Sequence, residues 1–359
     1  MNLFFCLIVV STVTIENSEA DIEVDETILQ RIVTDILNIL YRAPIFERIT
    51  CDSVNNSLVN FDLYTSQNKD EPVILRAGEV NNLTLFNPSL ETKLLIHGWI
   101  GNVTDWMRLA KNEYLRTGDY NIILLDWSAY ALNMYSQSVC FLKEIAEKAA
   151  HLLIQIRDEA NLDFNKTHVI GHSLGGQMAG LIGQNIDKLT GGEKVYRITG
   201  LDAAGPLFCY PVLEDNDKRI TSDDAYFVDG IHTSEEDYGC DDPYGHVNFY
   251  PNCGRTQAGC ESTNFTFSNI TGSLQNIFDR VSCSHQRAPI YWIESINSDG
   301  FVSVFCSTCA EYILETCERD ENITTDICIM GEHLSLSTPK GKYYLSTRST
   351  WPYVMNDDE

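Results

Sequence analysis

The pentapeptide Gly171-His172-Ser173-Leu174-Gly175 fits G-x-S-x-G, a spacing that puts a serine hydroxyl on a sharp turn between a strand and a helix. Lys166-Thr167-His168-Val169-Ile170 before it reads as a short strand. After it, Met178, Ala179, Leu181, Ile182 and Ile186 recur at near-helical spacing over 176–188. The flanking glycines permit close approach of strand and helix, and the helix N-terminus favours a developing negative charge. Ser173 is therefore a candidate nucleophile. A hydroxyl attacks poorly until a base takes its proton, and the base is usually a histidine held by a carboxylate. With this turn the chain order is serine, carboxylate, histidine. Asp202 ends the strand pattern Arg197-Ile198-Thr199-Gly200-Leu201 and precedes the loop Ala203-Ala204-Gly205-Pro206, which places it at the strand edge that carries the serine. Four histidines follow: His232, His246, His285 and His333. Periodicity does not choose among them. His285, between Cys283 and the helical-looking Ile290-Tyr291-Trp292-Ile293, ranks first. His232 closes an apolar strand and reads as a buried, hydrogen-bonded residue; His246 precedes a strand; His333 lies in a cysteine-rich tail. The oxygen that becomes negative on attack needs backbone donors, and losing one costs on the order of a hundredfold in rate. Leu174 N–H, just after the serine, is one. Trp99 N–H, in His97-Gly98-Trp99 after the strand Leu94-Leu95-Ile96, is the other, with His97 organising the loop.

Elements able to position these groups follow in order. Short apolar runs at 94–96, 122–125, 195–201, 226–231 and 247–250 read as strands, and 139–156 as a long helix. Strand–helix alternation predicts an α/β fold with a mostly parallel sheet covered on both faces. Residues 51–359 read as one domain. Ahead of it, over 21–50, Ile28, Leu29, Ile32, Val33, Ile36, Leu37 and Leu40 form an amphipathic helical pattern ending near Pro44. It reads as a helix packed on the body rather than a removed pro-segment.

The first twenty residues are a short apolar run followed by Ser18-Glu19-Ala20, the pattern of a cleaved signal peptide, although no Lys or Arg precedes the run. The run is too short to span a membrane, so no transmembrane anchor is expected. Of twelve cysteines, Cys6 leaves with the signal, and the rest are expected to form disulfides in an oxidising, extracellular compartment. Seven N-x-[ST] sequons, at Asn55, Asn82, Asn102, Asn165, Asn264, Asn269 and Asn322, suit a secreted glycoprotein. The formal charge of -26 makes nucleic acid an unfavourable partner.

Several separate motifs together resemble the pancreatic-lipase-like family of secreted lipases, especially the insect lipases and venom phospholipases A1. These are Leu95-Ile96-His97-Gly98-Trp99, Gly171-His172-Ser173-Leu174-Gly175-Gly176, Thr199-Gly200-Leu201-Asp202-Ala203-Ala204-Gly205-Pro206, Val228-Asp229-Gly230-Ile231-His232-Thr233, His246-Val247-Asn248-Phe249-Tyr250-Pro251-Asn252 and Cys283-Ser284-His285-Gln286-Arg287. The resemblance runs from about Cys51 to Tyr353. It implies an α/β-hydrolase fold and a Ser173–Asp202–His285 triad with no cofactor. It also implies hydrolysis of acyl esters of glycerolipids at a lipid–water interface, of the triacylglycerol lipase or phospholipase A1 type. The yolk-protein branch, which binds or stores lipid without catalysis, is the alternative; that branch loses triad residues, and this chain keeps all three.

Other implications come with departures from the family. The large members carry a C-terminal β-sandwich that docks on a protein cofactor. This chain stops soon after Gly341-Lys342-Tyr343-Tyr344-Leu345, so neither that domain nor a colipase-type partner is expected. The counterpart of the family's calcium loop, 216–224, has Asn216 and Thr221 in place of carboxylates, so no metal is expected. The lid counterpart is the loop from Cys260 to Cys283. It carries Phe265, Phe267, Ile270, Leu274, Ile277 and Phe278 but also the sequons at Asn264 and Asn269. The neighbouring loop, 234–244, is short and acidic, as in the phospholipase-like members, so the two loops point to different head groups. Expected disulfides are Cys260–Cys283 and Cys306–Cys317 from the resemblance, then Cys51–Cys140, Cys240–Cys253 and Cys309–Cys328, which leaves Cys209 odd.

Overall fold

The computed structural model describes residues 53–78, 80, 82–209, 219–235, 237–260, 282–317 and 327–355. The signal-peptide and N-terminal-helix readings, Cys51, Asn216, the interior of the lid counterpart with Asn264 and Asn269, and Asn322 lie outside the described residues.

Alternate side chains of a strand point to opposite faces, so a strand covered on both sides is buried at nearly every position. That condition produces the uninterrupted runs seen in β3 (Thr92–Ile96), β4 (Asn121–Asp126), β5 (Thr167–His172), β6 (Arg197–Leu201), β7 (Phe227–Ile231) and β8 (Val247–Pro251). Leu94 and Ile96 enter one core, with Ile123, Leu125, Val169 and Ile198. Leu95 enters the other, with Ile122, Leu124, Ile170 and Leu201. The flanking strands are β1 (Asn60–Tyr64), β2 (Val73–Leu75), β9 (Val302–Phe305), β10 (Ile327–Ile329) and β11 (Gly341–Leu345). Together they make an eleven-stranded sheet in the order β10-β9-β11-β8-β7-β6-β5-β3-β4-β1-β2. From β4 through to β11 every pairing is parallel; β1, β2, β9 and β10 join antiparallel at the two sides.

On one face, α3 (Tyr135–Ala160) packs along α4 (Leu174–Thr190). Ile145, Ala149 and Leu153 of α3 and Met178 and Ile182 of α4 share the first core. Helix α3 is longer than its apolar pattern predicts and stops at Asn161, whose left-handed backbone (φ 59°) caps the end. On the other face, α1 (Trp106–Thr117) meets α5 (Cys283–Ser295), with Tyr114, Tyr291 and Trp292 buried in the second core. Two short helices, α2 (Ser128–Ala131) and α6 (Cys309–Ile313), complete the described α-helices.

Two of the expected cysteine pairings are corrected. Cys240 joins Cys209, not Cys253, and Cys253 joins Cys309, not Cys240. Cys328, expected opposite Cys309, is the free cysteine among the described residues and is buried, and Cys209 is not odd. The cause is non-local packing. Ala203 O accepts from Cys240 N (2.8 Å), and a bridge between Ala204 and Gly239 draws the 240 segment over the loop that ends at Cys209. Cys253 follows β8 and Cys309 follows β9, and both strands neighbour β11. Cys260–Cys283 and Cys306–Cys317 pair as expected. Cys140 is disulfide-bonded, its expected partner Cys51 lying outside the described residues.

Candidate active site

Ser173 sits between β5 and α4 with φ 57° and ψ -123°, a conformation an L-residue adopts only when its surroundings impose it. Its N–H donates to Leu201 O (3.1 Å), and its carbonyl accepts from Ala204 N (3.0 Å) and Gly176 N (2.9 Å). The turn closes only because it is lined by glycine: a Cβ on Gly171 would fall 2.0 Å from Gly175 O, and one on Gly98 would fall 2.7 Å from Ser173 Cβ. The same close approach brings the loop of Gly98 and Trp99 against the serine. Leu174 opens α4, so its N–H is among the first-turn donors that the helix itself leaves unbonded.

Asp202 follows β6, also with positive φ (45°), and is fully buried. His285 lies in the first turn of α5, with Nδ1 2.6 Å from Asp202 Oδ2. Asp202 Oδ1 accepts from Thr233 N (2.7 Å) and Ser234 N (3.1 Å), and Ser234 Oγ donates to Oδ2 (2.5 Å). Burial alone would raise the pKa of Asp202, but His285 and these donors outweigh it and hold the carboxyl below its ordinary value. The carboxylate is thus charged and fully hydrogen-bonded.

The other candidate histidines are engaged elsewhere. His232 is buried between Cys240 O (3.1 Å) and Asn248 Oδ1 (3.1 Å). His246 Nδ1 accepts from Val228 N, and His333 Nε2 faces Ile296 O (3.2 Å). His97 stacks on Trp127 and accepts Trp127 N–H at Nε2 (3.2 Å), which leaves Nδ1 to donate to Gly98 O (3.0 Å). It is the loop organiser its position suggests. His172, one residue before the serine, contacts the ring of His285 (centroids 4.5 Å apart) and donates from Nε2 to His285 O (3.1 Å). Burial first, then the charge of His285, pushes its pKa down to about 3, so it stays neutral.

A cavity of about 430 Å³ opens over the turn. Ser173, His172 and His285 line it, with Gly98, Trp99, Ile100, Leu132, Tyr135, Pro206 and Tyr238 giving it an apolar wall. The indole N–H of Trp99 is tied to Asn133 O (2.8 Å) and its ring meets Tyr135 edge-on, so the apolar face is fixed. Asn102, first residue of a sequon, lines the same cavity. Cys260–Cys283 (Cα–Cα 5.6 Å) joins the two ends of the lid counterpart immediately before His285.

The sequence reading missed Thr233, Ser234 and Gly239 as partners of Asp202. A Cβ on Gly239 would stand 2.4 Å from Asp202 Oδ1, so only glycine leaves space for the carboxylate. No periodicity marks these positions, because they meet Asp202 only after β6 and β7 pair. Asn216, in the counterpart of the family's calcium loop, lies outside the described residues, whereas Asp224 at the other end of that loop is engaged within the protein: its carboxylate accepts from Thr221 N (2.7 Å), Thr221 Oγ1 (2.9 Å) and Gln184 Nε2 (3.1 Å).

A parallel sheet covered on both faces, with a serine on a strained strand-to-helix turn and a carboxylate–histidine pair at the same edge, defines an α/β-hydrolase fold. A family model described as Lipase matches residues 43–353, and the chain belongs to that family. Pancreatic lipase-related protein 2 of Myocastor coypus is 31% identical over 279 residues, covering 74% of this chain and 57% of that protein. Lipoprotein lipase of Bos taurus is 32% identical over 288 residues, covering 75% and 56%, and that of Homo sapiens is 32% identical over 289 residues, covering 75% and 57%. The chain thus matches little more than half the length of these relatives. Likeness to the solved structure of a sugar hydrolase from Lactococcus lactis is distant (TM-score 0.33, 15% identity, covering 53% of this chain and 72% of that one) and carries no argument.

Proposed function

We propose that this chain is a secreted serine ester hydrolase that cleaves acyl esters of glycerolipids, of the triacylglycerol lipase or phospholipase A1 type, through an acyl-enzyme. The observation that carries the reading is the 2.6 Å contact of His285 Nδ1 with the buried Asp202, beside a cavity lined by both His285 and Ser173. Asp202 fixes the imidazole tautomer that leaves Nε2 free to accept a proton. As Ser173 Oγ bonds to the acyl carbon, His285 Nε2 takes the hydroxyl proton, and the carbonyl oxygen becomes an oxyanion held by the N–H groups of Leu174 and Trp99. The C–O bond to the alcohol then breaks, with His285 protonating the leaving oxygen. Water, deprotonated by His285, attacks the acyl carbon, releases the fatty acid and restores Ser173. The apolar cavity wall suits an acyl chain. Membership of the Lipase family and the relatives' names support lipid esters as substrates. Secretion is supported by the four described disulfides. Glycans at the sequons belong to the same reading.

A fluorophosphonate probe tests it. The wild type should be labelled at Ser173, and Ser173→Ala should lose labelling and about 10⁶ in hydrolytic rate. Folded protein that resists labelling would instead fit a lipid-binding or storage protein of the yolk-protein type. Fatty acid release from triolein and from phosphatidylcholine in matched dispersions separates the two lipid classes.

A further inference from the structure

Three of the four hydrogen bonds to Asp202 come from two consecutive residues, Thr233 and Ser234. The two backbone bonds go to Oδ1 and fix the orientation of the carboxylate. The Ser234 hydroxyl instead goes to Oδ2 (2.5 Å), the oxygen that also takes His285 Nδ1 (2.6 Å). Ser234 Oγ lies 3.3 Å from His285 Nδ1. Hydroxyl and imidazole therefore share one carboxylate oxygen, in a site where Ser234 is only 1% exposed. We propose that Ser234 is a positioning residue that sets the proton affinity of the Asp202–His285 pair. This rests on the reading of that pair as the base for Ser173.

The argument is one of competition. A hydroxyl donating to Oδ2 stabilises the carboxylate most when the imidazole is neutral, because protonation of His285 already neutralises much of that charge. The hydroxyl thus disfavours the imidazolium relative to the free base, and the base stays unprotonated at lower pH. The other groups facing the pair do not share this oxygen. His172, at the end of β5, is neutral and donates to the carbonyl of His285. His232, at the end of β7, is bonded to Cys240 and Asn248. Tyr238 meets the His285 ring at 5.6 Å. Tyr244 OH donates to Gly200 O (2.9 Å). Glu235, beside Ser234, is pushed up to about 8 by burial and then by the charge of Asp202, so it is mostly neutral across the acid range.

The test is the pH dependence of the second-order rate of fluorophosphonate labelling of the intact protein, which reads the base without involving a lipid surface. In Ser234→Ala the backbone donors to Oδ1 remain, and the acid limb should move up by about half to one pH unit. Ser234→Thr, which keeps the hydroxyl, should return it towards the wild-type position. Ser234→Gly serves the same comparison should Ser234→Ala unfold at the assay temperature. A purely structural role would lower the melting temperature and leave the limb in place. Wild-type labelling with an unshifted limb in the variants overturns this proposal alone, whereas a wild type that cannot be labelled overturns it together with the catalytic reading.

Discussion

The serine and the carboxylate of the site stand on backbone that L-residues avoid. Ser173 and Asp202 both have positive φ, at a cost of about 1–3 kcal/mol each. Neighbouring strands hold them there: Ser173 N–H bonds to Leu201 O and Asp202 N–H to Ile231 O. Gly239 then leaves the Asp202 carboxylate its space. In Gly239→Ala the new Cβ would lie 2.4 Å from Asp202 Oδ1, against a buried charged group that cannot move away. We expect urea melts to show a loss of about 1–3 kcal/mol and fluorophosphonate labelling to slow at least about tenfold. Labelling at the wild-type rate would mean that the carboxylate tolerates displacement.

At the scale of elements, Thr233, Ser234 and Gly239 together cradle Asp202, and Cys240 beside them is anchored. Cys240 is bonded to Cys209, its N–H to Ala203 O, and its carbonyl faces His232 Nδ1. Replacing both Cys209 and Cys240 by serine should lower stability by about 2–4 kcal/mol and reduce labelling, because the donors to Asp202 become loosely held. Cys306–Cys317 closes an 11-residue separation near β9, away from the serine turn. The matching double serine variant there should lose stability with labelling unchanged in the protein that remains folded. Equal loss of labelling in both variants would contradict the cradle.

For the whole molecule, buried carboxyls with displaced proton affinities shape stability against pH. Burial, with the charge of Asp202, lifts Glu235 from 4.5 to about 8. Between those values the folded chain holds a proton that the unfolded chain has released, so this contribution is present below about 4.5 and lost as pH rises to 8. Asp126 runs the other way. Burial opposes its ionisation, but the neighbouring His97 ring and the hydrogen bonds of Ser128 outweigh that and bring it down to about 2, so its contribution is lost as pH falls from 3.8 towards 2. Thermal melts of Glu235→Gln should show a flatter decline between pH 4.5 and 8 than the wild type; an identical slope would remove Glu235 as its cause. At the edge of the sheet opposite the serine, Lys93 Nζ meets Glu332 (2.6 Å), and Arg197 binds Asp229 through both oxygens while donating to Gly331 O and Glu332 O. These buried pairs fasten the chain after β10 onto β3 and β6, where a lone charge would be costly.

Local chemistry was readable from the chain alone. The glycine-flanked pattern around Ser173 marks a strand-to-helix turn within a few residues, and the apolar stretches of the central strands, such as Leu94-Leu95-Ile96 and Ile122-Ile123-Leu124-Leu125, mark strands with both faces covered. The outer strands do not stand out as apolar runs: β1 buries only alternate residues, and Val302 and Ile327 are exposed. Choosing among four histidines also lay beyond spacing. Only the packed chain brings His285, 83 positions along, to Asp202 and leaves His232, His246 and His333 bonded elsewhere. The same holds for Ser234 and for the partners of Cys209, Cys240, Cys253 and Cys309. Turn and strand propensities act over a few residues and are written in order along the chain, whereas a hydrogen bond or a disulfide is decided by which surfaces the sheet brings within a few ångströms.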